Sequence, residues 1–497
     1  MYLRKNDVWA RFSVRHLQKM PWQLATRRDC LAAVGFAAAV GLSGCFGGSS
    51  SGSSGNGPDD GNGGNGDPGA GNGGANGNGP TISIELVSAN SSGNSATGAQ
   101  MLGPNAAALV ETGSGGAMDA SGELIVMSGG FDDAGDYDVA SGANEAFLRN
   151  MESDGLDVEL VTLRPADDVF ESGGGTGLRP ALSADGRHVA FNASRVVGEI
   201  EQVYLRDLDE QETLLVSRDP ATTDQGAEAN SSYPSISNDG SRIVFESNAD
   251  LIDGGEHDEL PEPQIGTATQ IYLYDTGDDQ LVRVSVAEGS QGAPADDASV
   301  YAEISGNGEY VVFESDASDL LSDVDGEDTS IFLYDIADGS LEVVSVDEDG
   351  NQLDGNLRKP TIDHDGDRVV FAGPEGLYFW ERGSGSSVVK PDGEALAQGL
   401  VERVADPAIS GDGRFVAYTH ERGSAANDFV YRLNLDTQSE PLRVSIAADG
   451  TDTDSNAQHP VISEDGSVVA FDSDATNLIG GDHDHGSQVD VYRAVID

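Results

Sequence analysis

Six residues of the chain share one place in a repeat and differ in chemistry. Arg179, Tyr233, Lys359, Asp406 and His459 each stand immediately before a proline, and Tyr301 stands at the same place before Ala302. Together they offer two cations, a carboxylate, two phenols and an imidazole, the groups that hold polar ligands and move protons. A position with only a structural task would carry small or apolar residues more often. The spread of chemistry therefore points to a site for a protein, peptide or glycan ligand. The alternative is a polysaccharide lyase or glycosidase working through His459, Lys359 and Tyr301. Other catalytic classes find no support. There is no Gly-x-Ser-x-Gly elbow, two cysteines cannot build a cysteine zinc site, and no pair of histidines has helical metalloprotease spacing. The balance favours a binding module over an enzyme.

The elements that must position these residues are legible as repeats. Arg179-Pro-Ala-Leu-Ser-Ala-Asp-Gly186 recurs as Tyr233–Gly240, Tyr301–Gly308, Lys359–Gly366, Asp406–Gly413 and His459–Gly466, with a degenerate first copy at Met118–Gly122. Each Asp-Gly or Asn-Gly favours a tight hairpin turn. An apolar triplet follows it, as in Val189-Ala190-Phe191, Ile243-Val244-Phe245 and Val469-Ala470-Phe471. Three consecutive apolar residues predict a strand buried on both faces. A third strand recurs as Val203-Tyr204-Leu205 or Ile271-Tyr272-Leu273, and a fourth as Leu215-Val216-Ser217 or Val343-Val344-Ser345. Four strands per unit, sandwiched between neighbours, predict an all-β, seven-bladed β-propeller of four-stranded antiparallel blades. The last unit has three strands, and Ile84-Glu85-Leu86-Val87-Ser88 ends in Leu-Val-Ser, as Leu215-Val216-Ser217 does, with the Val-Ser common to the other fourth strands. The ring is therefore expected to close by this N-terminal strand, which would cover an open edge. The six variable residues then begin the innermost strands, beside the central channel.

The Pro-x-Ile-Ser-x-Asp-Gly-x-x-Val-Ala-Phe repeats resemble those of TolB-like propellers, related in style to the WD-repeat class, over residues 81–497. The resemblance implies the fold. The domain that precedes the propeller in TolB has no counterpart here.

The N-terminus reads as an address. Seven basic residues in positions 1–29 precede the apolar run Leu31–Leu42, which is too short to span a bilayer as a helix. The run ends Leu42-Ser43-Gly44-Cys45, resembling a bacterial lipobox in which Cys45 is acylated. Thr26-Arg27-Arg28 resembles a twin-arginine export signal. The expected organisation is a signal peptide over 1–44, a lipidated Cys45 with a flexible Gly/Ser/Asn linker to residue 80, and the propeller over 81–497. Location is then extracytoplasmic, with the lipid in the cell membrane or an outer membrane, at the periplasm or cell surface.

Charge narrows the partners. The chain has 86 acidic and 27 basic residues, a net charge of −59, and nucleic acid, which is bound by neutralising phosphates with Lys and Arg, is excluded. Acidic loops after the second strands carry Asp250, Asp319, Asp323, Asp325, Asp328, Asp474, Asp482, Asp484 and Asp490. Asp323-Val-Asp325-Gly-Glu-Asp328 is similar to the start of a calcium loop, although Tyr334 falls where an EF-hand has its glutamate. Calcium is the cation that Asp323, Asp325, Asp328, Asp482 and Asp484 are expected to take, and no other cofactor is implied.

Overall fold

The computed structural model describes residues 80–88 and 117–497, apart from 130–144, 153–157, 164–178, 195–199, 219–225, 253–267, 390–402, 422–426, 481–488 and the single positions 291, 325, 327, 348 and 439. The signal segment, Cys45 and the linker up to residue 79 lie outside the described residues. Within them the chain is all β, with seven antiparallel sheets that correspond to the seven repeats. Blades 2 to 6 are four-stranded meanders, as in Ser231–Ile236, Arg242–Ser247, Gln270–Asp275 and Gln280–Arg283 of blade 3. Blade 1 pairs Leu124–Gly129, Glu145–Asn150 and Val158–Leu160, and its innermost strand is reduced to a bridge from Met118 to Ile125.

Blade 7 takes its fourth strand from the N-terminus. Ile82–Leu86 pairs antiparallel with Asp490–Ile496, in register from Ile82 opposite Ile496 to Leu86 opposite Tyr492. The Leu-Val-Ser ending has a physical meaning here. Ser88 Oγ donates to Asp490 Oδ1 at 2.7 Å and accepts the amide of Val491. Ser217, Ser285, Ser345 and Ser445 accept the amides of Val203, Ile271, Ile331 and Val430 at the same point of their blades. The serine satisfies a backbone donor that would otherwise be buried without a partner. Arg493 seals the joint, its nearly buried side chain donating to Glu85 Oε2 at 2.7 Å, to Glu123 Oε2 at 2.8 Å and to the carbonyl of Gly122 in blade 1.

The core follows from register. The aromatic that ends each second-strand triplet lies opposite the aromatic of the third strand, as Phe191 opposite Tyr204, Phe245 opposite Tyr272 and Phe471 opposite Tyr492. Six blades stack such a pair with ring centroids 5.3–6.0 Å apart. Blade 1 sets Met127 against Phe147 instead. Cross-strand aromatic pairs add to area burial, and both faces of each pair are covered by the adjacent blades.

The turns explain the Ser-x-Asp-Gly signature. Ser183 Oγ donates to Asp185 Oδ1 at 2.6 Å and accepts the amide of His188, while Gly186 takes φ +71°. Ser237, Ser305, Ser410 and Ser463 repeat the arrangement. One further row of bonds crosses between blades at this level. Backbone amides of Ala120, Asp185, Asn238, Asn307, His364, Asp412 and Glu464 donate to carbonyls of Ala184, Asn238, Gly306, His364, Gly411, Glu464 and Ala120, at 2.9–3.2 Å. Seven blades are thus joined by seven backbone hydrogen bonds that return to their starting point.

Candidate functional site

The channel has two ends, and the six variable residues meet at the one where the innermost strands begin. Going round blades 2 to 7, they form a continuous chain of contacts. The Arg179 guanidinium stacks 3.6 Å from the centre of the Tyr233 ring. Tyr233 meets Tyr301 edge to face at 5.7 Å. Lys359 Nζ lies 5.8 Å from the Tyr301 ring and 2.5 Å from Asp406 Oδ1. Asp406 Oδ2 is 4.0 Å from His459 Nε2, and His459 Nδ1 is 3.0 Å from Asp472 Oδ2. The side chains of Lys359, Asp406 and His459 are 15–16% exposed, so this arc faces a narrow opening rather than bulk solvent.

The backbone that aims these side chains is unusual. Tyr233, Tyr301, Lys359, Asp406 and His459 all have φ between 51° and 53°, in the left-handed region that favours glycine. The cause is a β-bulge. Tyr233 and Pro234 together oppose Phe245, between the pairs Ser232–Glu246 and Ser235–Val244, and blades 4 to 7 shift register at the same place. Proline cannot donate to a ladder and is tolerated at such a bulge. Blade 4 makes the same bulge with Ala302, so proline alone does not impose it. A bulky residue held at positive φ costs about 1–3 kcal/mol, and such strain gathers at functional sites. Glycine would serve the backbone better at all five positions.

A second row of residues, absent from the sequence reading, holds the first. The bulge frees the amide of the variable residue, and a side chain from the preceding blade accepts it. Tyr301 N donates to Glu246 Oε1 at 2.7 Å, Lys359 N to Glu314 Oε2 at 2.7 Å and His459 N to Thr419 Oγ1 at 3.2 Å. In blade 2 the acceptor is Asn192 of the same blade. Each acceptor, like Asp472 behind His459, directly follows the aromatic of the second-strand triplet. The signal was present in the sequence as a polar residue closing an otherwise apolar strand. Burial pushes Glu246 up to about 8, against the pull of the Tyr301 amide and Arg179, and Glu314 up to about 7. Burial likewise raises Asp472, although His459 opposes it.

The three side chains of the enzymatic alternative lie along the arc in order, with a carboxylate between two of them. Lys359 adjoins Tyr301, but Asp406 stands between Lys359 and His459. A cavity in the channel lies further along and is lined by other residues, among them Ile236, Ile304, Ile362, Asn238, His364 and Glu464.

The acidic loops lie at the same end of the blades as the variable residues. Asp250 accepts Arg283 at 2.6 Å, and Asp319 accepts the amide of Asp296. Asp323 and Asp328 are described, whereas Asp325, Asp482 and Asp484 lie outside the described residues. Among the described residues no three His, Cys, Asp or Glu side chains are grouped to hold a metal ion.

No family model matches the chain, and no curated protein does. Similar solved structures are propellers. They include oligogalacturonate lyase from Vibrio parahaemolyticus, 12% identical with a TM-score of 0.47, over 84% of this chain and 96% of that one. TolB from Acinetobacter baumannii is 16% identical with a TM-score of 0.33, over 72% of this chain and 61% of that one. The β-propeller domain of the Trilobed protease from Pyrococcus furiosus is 11% identical with a TM-score of 0.42, over 71% and 89%. TolB proteins thus stand among the similar structures, and the architecture itself rests on the strand order and inter-blade bonds of this chain: it is a seven-bladed β-propeller.

Proposed function

We propose that the protein is a membrane-tethered, extracytoplasmic propeller whose channel mouth binds a protein, peptide or glycan ligand. One observation carries the reading. Five blades hold five non-glycine residues of four kinds in a backbone state that glycine would adopt at less cost. The strain is retained where it aims side chains at the channel, and those side chains form one connected arc. The arc offers stacked aromatic faces beside Arg179 and Lys359 and a carboxylate beside His459, a surface suited to polar groups carried on a flat or extended ligand. The lyase or glycosidase alternative is weaker, since a carboxylate already engages Lys359 and separates it from His459.

The tether rests on the lipobox-like Leu42-Ser43-Gly44-Cys45 and the glycine-rich stretch after it. Lipid at Cys45 would hold the protein to the cell membrane or an outer membrane. The test of the mouth uses full-length protein in detergent on glycan and peptide arrays, comparing wild type with Tyr301→Gly and Lys359→Gly. Ligands retained by wild type and lost by both variants support the site. Equal retention by the variants places binding elsewhere. The tether is checked separately by detergent-phase partitioning of Cys45→Ser, which is expected to move to the aqueous phase.

A further inference from the structure

At the turn end of the blades, away from the mouth, guanidinium groups clamp four of the joints between neighbours. Arg242, Arg368, Arg432 and Arg493 each reach across to the next blade and donate from Nη1 to the carbonyl of its turn glycine, at 2.5–2.9 Å. Three of these cations are also met by carboxylates. Arg242 Nε lies 2.9 Å from Asp275, Arg368 contacts Asp436 at 2.8 Å and Glu381 at 3.3 Å, and Arg493 contacts both Glu85 and Glu123. Arg432 has no carboxylate in ion-pair contact among the described residues, and its guanidinium makes one hydrogen bond there, to the carbonyl of Gly466.

Arg432 and Arg493 hold the same place in their blades. Each ends a Val-Tyr-Arg run of the third strand and lies opposite the alanine of the second-strand triplet, Ala417 or Ala470. At the joint of blades 7 and 1, the fourth-strand residue beside the arginine is Glu85, and Glu123 follows the turn glycine. At the joint of blades 6 and 7, the same two places hold Leu442 and Ser467. Neither can answer the charge. Arg432 is nonetheless partly buried, its guanidinium carbon 4.5 Å from the centre of the Phe415 ring. Burial lowers its pKa, opposed by the field of Asp465, which is itself committed to the turn by accepting the Ser467 amide at 2.9 Å and the Ser463 hydroxyl at 3.1 Å. A second guanidinium, the exposed Arg414, lies 5.3 Å from the same ring. Withdrawing a cation from water without a counter-charge is costly, and it happens here in a chain with 86 acidic and 27 basic residues.

We infer that the joint of blades 6 and 7 at Arg432 is a second binding site, independent of the mouth, for a ligand bearing carboxylates, which take the places that Glu85 and Glu123 fill around Arg493. The guanidinium fork matches a planar carboxylate, and a dicarboxylate can serve both places at once. The net charge of −59 repels anions in general, so a ligand is held only by the bonds it makes at this joint.

The experiment is ligand-observed saturation-transfer NMR on the full-length protein in detergent at fixed ionic strength, with glutarate and glutaramide as probes and sulfate as competitor. Saturable binding of glutarate is expected, with no binding of glutaramide, which keeps the shape and lacks the charge. Sulfate, too small to serve both places, should displace glutarate only at about fivefold or greater excess. Ser467→Glu supplies the carboxylate that Glu123 brings to Arg493, at a place where blade 4 already carries Glu309. It should pair with Arg432 and lower glutarate affinity about tenfold or more. Arg432→Leu introduces the residue that blades 2 to 4 use at this place, Leu205, Leu273 and Leu333, so the fold is kept and affinity falls to the same extent. Absence of saturation, equal binding of glutaramide, displacement by sulfate at equal concentration, or affinity unchanged in either variant overturns the site.

Discussion

The innermost strands begin and end in contrasting ways. At their start, five bulky residues of four kinds, two tyrosines, a lysine, an aspartate and a histidine, sit in the left-handed region. At their end, one turn recurs with glycine in the left-handed region, a serine bonding the side chain two residues on in blades 2, 3, 4, 6 and 7 and Asp363 standing in for the serine in blade 5. The uniform end carries the bonds that join the blades. The variable end adds only amide-to-side-chain bonds from Tyr301, Lys359 and His459 to the preceding blade, and these need the backbone of the variable residue, not its side chain. Where a repeat protein keeps one chemistry, the residue answers to the fold, and where it varies chemistry at a strained position, the residue answers to something outside the fold.

The most severe way to break the comparison is to open the ring. Deleting residues 81–88 uncovers Asp490–Ile496 and removes the Arg493–Glu85 joint, so both ends should fail together, with a loss of several kcal/mol. Deleting 47–79 should leave the thermal midpoint unchanged. Equal midpoints for the two deletions would refute closure by the N-terminal strand.

Next in size is a glycine at the uniform end. In Gly466→Ala the new Cβ falls on the Phe415 ring while the backbone stays at φ +72°, costing about 2–4 kcal/mol in urea unfolding. The reverse change at the variable end, His459→Gly, relieves strain while losing the contacts to Asp406 and Asp472, and should stay within about 1 kcal/mol of wild type. A large loss in His459→Gly would mean that the mouth is structural after all.

A pH series sharpens the same contrast with a smaller effect. Glu246 and Glu314 lie above their ordinary value of 4.5, at about 8 and about 7. The folded protein therefore keeps protons that the unfolded chain releases between these values. Their contribution is fully present below about pH 4.5 and is lost as pH rises through 7 and 8. Urea midpoints at fixed salt should fall across that window, and Glu246→Gln with Glu314→Gln should flatten the fall. Parallel profiles for wild type and the double variant would show that these two carboxyls are not the source.

Much of this was legible in the sequence because repetition exposes register. The apolar triplets, Asp-Gly turns and Val-Ser endings predicted seven blades and the donor of the last strand, and Arg179 through His459 were singled out by their shared place in the repeat, five of them by the proline that follows. The bulge was not legible. Nothing in Tyr301-Ala302 announces positive φ, which is imposed by pairing with a strand one residue shorter at that point. Glu246 and Glu314 were hidden for a related reason, since a polar residue after a buried triplet looks like the end of a strand until the neighbouring blade supplies an amide for it to accept. The alternation of Asn238, His364 and Glu464 with glycines is visible only when blades are placed in a circle. In blade 1 the innermost strand contracts to Met118, in keeping with its degenerate motif.

The joint between Arg493 and Glu85 links positions 408 residues apart. During synthesis the segment around Ile82 emerges early and must wait, unpaired, until Asp490–Ile496 has been made. Contacts of such separation form late and slowly, so six blades can stack before the circle shuts. The waiting strand is short and alternates apolar with polar side chains, Ile-Ser-Ile-Glu-Leu, with one charge on its outward face to discourage pairing with another chain. Closure thereby acts as a check on length: a chain interrupted anywhere in its body leaves that early strand without its partner, exposed to proteases in the compartment where it folds.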